Sequence, residues 1–92
     1  MGTNAKGILM PDRTPYRPIS CSFYDELELA ALQQRLCLVH FRDEEGGELR
    51  VQSRIRQLLT RDGEEFLQLD TGEWVRLDRL IAIDDKRLEH YC

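Results

Sequence analysis

The stretch TRDGEEFLQLDTGEWVRL, residues 60–77, decides the fold because it places two tight-turn signals between short apolar segments. Asp62-Gly63 is typical of a two-residue β-hairpin turn, in which both central residues need positive φ angles. Thr71-Gly72 indicates a second tight turn. As a two-residue turn, it would place Leu69 opposite Trp74 on the neighbouring strand. The stretch therefore predicts short antiparallel strands joined by tight turns.

The segments upstream predict one helix and two further strands. Residues 23–34, FYDELELAALQQ, contain strong helix formers and neither Gly nor Pro, and Ser22 with Asp25 resembles a capping box at the helix start. Residues 35–43, RLCLVHFRD, are apolar in both alternating sets, which is typical of a strand covered on two sides. Residues 48–59, ELRVQSRIRQLL, alternate apolar and polar positions, which predicts one strand with a buried and a wet face.

These elements predict an α+β domain, with an N-terminal α-helix followed by a strongly bent antiparallel sheet that closes into a small barrel. A chain of 92 residues suits a single domain. We assign that domain to residues 16–85. Residues 1–15, with two prolines among small and polar neighbours, are interpreted as a flexible N-terminal tail, and residues 86–92 as a C-terminal tail.

The composition limits the classes of partner and the compartment. The formal net charge is -4, so long-range attraction to nucleic acid phosphates is not expected. No apolar run approaches the roughly 18 residues of a membrane helix, and the N-terminus lacks the apolar core of a signal peptide. Three cysteines, an odd number without regular spacing, favour reduced thiols. We therefore expect a cytoplasmic protein that does not bind membranes.

The cysteines and histidines do not form a convincing metal or catalytic pattern. Cys37 and His40 are three residues apart on a predicted strand, so their side chains point to opposite faces and cannot share a metal ion. We interpret Cys37 as a small core residue. Neither His40 nor His90 lies in a sequence that resembles a catalytic signature. The expectation is a non-enzymatic protein without a metal or cofactor.

The predicted helix has no clearly polar face. On a helical projection, Phe23 and its apolar neighbours cluster on one side, whereas Leu29 and Leu32 point elsewhere, beside Asp25 and Glu28. Two interpretations of the outward leucines stay open. The N-terminal segment covers them, or they form a partner surface with an apolar centre and an acidic rim, suited to a basic groove of another protein.

A basic stripe gives the alternative function. Arg50, Arg54 and Arg56 lie on one face of the predicted strand 48–59, where evenly spaced guanidinium groups could bind phosphates. No aromatic residue is interleaved on that face to stack on a base, and nearby acids could balance the charge. An RNA-binding module is therefore kept as the second hypothesis.

The sequence YRPISCSFYDELELA, residues 16–30, resembles the signature of the Rof (YaeO) family of Rho-binding antiterminators at ten positions: Tyr16, Pro18, Ile19, Cys21, Tyr24, Asp25, Leu27, Glu28, Leu29 and Ala30. The later RLDRL, residues 76–80, is similar to the family's RLD-x-I ending. The resemblance implies an Sm-like small β-barrel preceded by an α-helix. It also implies a bacterial regulator that binds the RNA-binding OB-fold of the hexameric termination factor Rho, blocks RNA loading and reduces Rho-dependent termination.

The resemblance and the charge pattern together give a candidate partner surface. An acidic helix could occupy a basic RNA groove as a charge mimic. The expected partner is Rho, bound by a monomer without direct contact to nucleic acid. Ser22 and Phe23 stand where members of the family carry acidic residues. The candidate partner-binding residues are Tyr16, Ser20, Ser22, Asp25, Glu26, Glu28, Leu29 and Leu32.

Overall fold

The computed structural model describes residues 14–91, which form one helix followed by two antiparallel sheets. The α+β class predicted from the sequence is confirmed. There are also two short 3₁₀ turns: Leu77–Arg79 lies between two strands, and Leu88–His90 follows the last strand. The regular elements are α1 (Cys21–Gln33), β1 (Cys37–Arg42), β2 (Glu48–Ser53), β3 (Ile55–Arg61), β4 (Glu64–Leu69), β5 (Trp74–Arg76), β6 (Leu80–Ile83) and β7 (Lys86–Arg87).

Helix α1 begins two residues earlier than predicted, and its cap is Ser20 rather than Ser22. Ser20 has an extended backbone (ψ 151°), and its side chain accepts a hydrogen bond of 3.2 Å from the backbone N–H of Phe23. An N-cap needs this non-helical backbone, whereas Ser22 already lies inside the first helical turn. Asp25 consequently falls beyond the first turn, so the predicted capping box does not form.

The predicted single strand 48–59 is in fact two strands that belong to different sheets. Strand β2 pairs with β1, and β3 pairs with β4, with Arg54 at the bend between them. Asp70 holds this bend from the distant β4–β5 loop. Its backbone N–H donates to the Ser53 hydroxyl at 2.8 Å, and its carboxylate accepts from the Arg54 N–H at 3.1 Å.

Of the two predicted hairpin turns, the first is confirmed and the second differs by one residue. Asp62 and Gly63 have φ angles of 53° and 79° and form the two-residue turn between β3 and β4. Between β4 and β5, the observed partner of Trp74 is Gln68, not Leu69. The loop therefore has an additional residue, and this slip places Val75 opposite Leu67, with both side chains in the core.

The four-stranded sheet has the order β2-β1-β6-β7, and the three-stranded sheet the order β3-β4-β5. Residues 86–92 were predicted to be a tail, but the structure shows order over 86–91. Strand β7 pairs with β6, and the ring of Tyr91 makes an edge contact with Phe23 at 5.2 Å between ring centroids. Of the predicted N-terminal tail, residues 1–13 lie outside the described residues.

The core joins α1 to both sheets. Phe23, Leu27 and Ala30 supply the buried face of the helix, as the helical projection predicted for Phe23. Cys37 is fully buried and contributes to the core as expected. The buried cluster consists of Phe23, Leu27, Ala30, Cys37, Val39, Phe41, Ile55, Leu67, Leu69, Val75, Leu77, Leu80 and Ile83.

Candidate partner-binding surface

An open groove of about 650 Å³ runs along α1 beside strand β3. We call it the α1–β3 groove. Four of the eight candidate residues from the sequence line it, and Ala31 and Leu58 complete the lining. The lining residues are Asp25, Glu28, Leu29, Ala31, Leu32 and Leu58.

The apolar part of the groove follows from the periodicity of α1. The buried positions Phe23, Leu27 and Ala30 lie on the inner face, since residues three and four apart share a side of a helix. Leu29 and Leu32 are three apart on another face, and their side chains are 47% and 82% exposed. The interpretation that the N-terminal segment covers them falls on residues 1–13, outside the described range.

The rim of the groove is negative. Asp25 and Glu28 are both exposed, and within residues 14–91 neither carboxylate forms an ion pair with a cation. Burial, followed by the nearby carboxylates of Glu65 and Glu28, raises the pKa of the Tyr24 hydroxyl. The negative potential therefore extends from the helix towards β4. A cationic group in this groove would meet carboxylates that are not already neutralised by a partner in the described chain.

Two further candidate residues hold the segment that precedes the helix. The Tyr16 hydroxyl donates a hydrogen bond of 2.7 Å to the Glu65 carboxylate. Burial and this hydrogen bond raise the pKa of Tyr16. Ser20 is half-buried and caps α1. Both side chains are thus engaged within the protein, and they fix the start of the helix.

A buried arginine that the sequence reasoning did not single out anchors the same segment. Arg76 is 4% exposed, and its guanidinium lies 5.4 Å from the centre of the Tyr16 ring. It donates to the Thr14 carbonyl at 2.9 Å and to the Asp78 carboxylate at 2.7 and 2.8 Å. Asp78 also accepts the backbone N–H of Arg17 at 3.0 Å. The sequence analysis noted Arg76 only as part of the RLD motif, and that motif does not predict these contacts.

The last two candidates lie on α1 but do not line the groove. Ser22 is exposed in the first turn, and Glu26 is half-buried. Phe23 is fully buried, and its ring contacts that of Tyr91. At this position the chain uses an apolar side chain to attach the helix to the core, so the acidic surface begins at Asp25.

The three arginines of the alternative hypothesis do not form one stripe. Arg50 lies on β2, opposite His40 in the neighbouring strand, whereas Arg56 lies on β3 in the other sheet. Arg54, at the bend, is 3.5 Å from the Asp70 carboxylate, and Arg56 donates to the Asp70 carbonyl at 3.4 Å. Asp70 thus balances part of the positive charge, as the sequence suggested for nearby acids.

The remaining candidate chemistry gives no second site in the described part of the chain. Cys37 is buried in the core, and His40 contacts the Glu48 carboxylate at 2.9 Å. Within residues 14–91, no group of three or more His, Cys, Asp or Glu side chains is placed to hold a metal ion. Helix α1, the one α-helix in this range, is too short to cross a membrane.

Comparison of the chain with protein-family models, with curated proteins and with solved structures finds no match. A functional assignment therefore depends on the residues and on the geometry of the groove.

Proposed function

We propose that the protein inhibits Rho-dependent transcription termination by binding the Rho hexamer at its RNA-binding OB-fold and competing with RNA. The observation that carries the proposal is the α1–β3 groove, where the exposed Leu29 and Leu32 lie beside the carboxylates of Asp25 and Glu28, which form no ion pair within residues 14–91. The motif in residues 16–30 supplies the identity of the partner. The proposal includes no catalytic step.

Charge and apolar surface would have different roles in this complex. An RNA-binding groove is basic, so the two carboxylates would accelerate association and align the helix. Burial of Leu32 would contribute up to about 1.5–3 kcal/mol, and burial of the already half-buried Leu29 about half as much, before the costs of association are subtracted. The leucines would therefore supply much of the affinity, and the acids much of the specificity and salt dependence.

We also propose that the two sheets are halves of one small Sm-like barrel. The chain crosses directly from β2 to β3 at Arg54, and the Ser53–Asp70 hydrogen bond links this crossing to the end of β4. Strand β1 pairs with both β2 and β6, and one buried cluster contacts both sheets. Such a body would act as a rigid support that presents α1 to its partner.

The proposal is tested by measuring binding to purified Rho with and without RNA. We expect the Asp25→Lys, Glu28→Lys double variant to weaken binding about tenfold or more, because like charges placed together cost several kcal/mol. Glu44→Lys, Glu73→Lys is the matched control, since it changes the net charge equally at two exposed loop positions. Leu32→Asp should also weaken binding, through its loss of apolar contact.

Three results would contradict the proposal: no binding to Rho, binding that is indifferent to RNA, or equal effects of the two charge reversals. The RNA-binding alternative predicts a different outcome. In that case the protein alone would bind RNA. Arg50→Glu with Arg56→Glu would abolish RNA binding, whereas the groove variants would bind RNA as the wild type does.

A further inference from the structure

The α1–β3 groove combines an apolar floor with an acidic rim, and the chain itself contains a segment of complementary chemistry. Residues 6–13, KGILMPDR, place Ile8, Leu9 and Met10 between Lys6 and the Asp12-Arg13 pair, and two basic residues against one acid give the segment a net charge of +1. The segment lies outside the described residues, so its chemistry is taken from the sequence alone. Its three adjacent apolar residues suit a groove lined by leucines, and its net positive charge suits the acidic rim.

The described residues set the distance that this segment must span to reach the groove. Thr14 is held at Arg76 on β5, whereas Leu58 of the groove lies on β3. Leu58 pairs with Leu67 of β4, which in turn pairs with a β5 residue adjacent to Arg76. Two strand spacings, roughly 10 Å, separate the ends of this row, and the segment must also pass round the sheet, because Arg76 points to the face opposite that of its neighbour on β5. The six residue steps from Thr14 to Ile8 span up to about 20 Å when extended.

We propose that residues 6–13 bind in the α1–β3 groove of their own chain. The apolar triplet contacts Leu29, Leu32 and Leu58, and the basic ends lie near Asp25 and Glu28. A tether of this length gives an effective concentration in the millimolar range, so a contact with an intrinsic Kd of about 1 mM is occupied roughly half of the time. The segment is then an autoinhibitory element that any partner of the groove must displace.

The contact does not depend on the proposed function, but its consequence for Rho does. At half occupancy, only half of the molecules offer a free groove, so the apparent affinity of a partner is about twofold weaker than its intrinsic affinity. Removing the segment's apolar contacts should therefore raise the apparent affinity of the partner about twofold. A groove occupied by its own chain would also be shielded from non-specific apolar contacts.

Disulfide cross-linking in the full chain tests the contact directly. The test variant carries Leu9→Cys and Leu32→Cys, with Cys21 and Cys92 replaced by Ser and the buried Cys37 retained. The matched control carries Leu9→Cys with Leu49→Cys, because Leu49 is 40% exposed on β2 in the other sheet. We expect the intramolecular disulfide to form about tenfold faster at position 32 than at position 49.

A second variant adds Ile8→Asp and Met10→Asp to the Leu9→Cys, Leu32→Cys pair. We expect its rate of intramolecular disulfide formation to fall to that of the control. Equal rates at positions 32 and 49 would overturn the proposal. Cross-linked dimers would also overturn it, since they would assign the groove to a second copy of the chain.

Affinity measurements separate this inference from the proposed function. In the native-cysteine background, Ile8→Asp with Met10→Asp should tighten binding to Rho about twofold. Unchanged affinity in a protein that binds Rho would overturn the autoinhibitory role. Fast cross-linking at position 32 in a protein that does not bind Rho would support the intramolecular contact and refute only the proposed function.

Discussion

The orientation of α1 can be tested with one substitution made at two positions of the same helix. Leu27 is fully buried, whereas Leu32 is 82% exposed. Leu27→Ala removes three buried carbon atoms and leaves a cavity among closely packed neighbours, so we expect it to lower the free energy of unfolding by about 2–5 kcal/mol. Leu32→Ala removes the same atoms from a solvent-exposed position and should change stability by less than about 0.5 kcal/mol.

Equilibrium unfolding in urea, followed by circular dichroism, measures both variants. The transition midpoint should fall for Leu27→Ala and stay near that of the wild type for Leu32→Ala, with an unchanged slope in both. At half occupancy, the proposed contact with residues 6–13 adds only about 0.4 kcal/mol, too little to obscure the comparison. A loss of several kcal/mol for Leu32→Ala would refute the assignment of this leucine to the exposed face.

Three further predictions concern the helix cap, the buried arginine and pH. Ser20→Ala should destabilise the protein by about 0.5–2 kcal/mol, and Ser22→Ala by much less, when both are compared by urea unfolding. Asp78→Ala should cost about 3–5 kcal/mol by the same measurement, since it leaves a buried guanidinium without its closest carboxylate; a loss below 1 kcal/mol would contradict this role. The hydrogen bond from His40 lowers the pKa of Glu48 below its ordinary value of 4.5, so the resulting stabilisation is present above that value and is lost as the pH falls through the lowered pKa. Stability should therefore fall more steeply from pH 5 to pH 3 in the wild type than in Glu48→Gln, and parallel curves would contradict the contact.

The features that the sequence predicted well are those set by neighbouring residues. Asp62-Gly63 specifies its own turn, because few other pairs accept two positive φ angles. Helix α1 follows from a run of good helix formers, and its two leucine-bearing faces follow from the helical period. Four residues of the groove could therefore be identified before the structure was known.

The features that it predicted poorly depend on contacts between distant residues. Alternation of polar and apolar side chains continues through Arg54, so the pattern did not reveal the bend that Asp70 stabilises. The β4–β5 loop accepts two or three residues with the same turn signal, which left the register open. Leu58 lines the groove, and Arg76 holds the segment before the helix, only because of tertiary packing. Neither contact could be predicted from neighbouring residues.

The contact between Phe23 and Tyr91 has a consequence for how the protein is made. These rings lie about 70 residues apart in the chain, so the helix is synthesised long before the residue that covers its start. At about 5–20 residues per second, that interval is roughly 4–14 seconds. During it, α1 has apolar surface on both its inner and its outer face. The nascent chain is therefore a candidate for chaperone binding until its last residues have been synthesised.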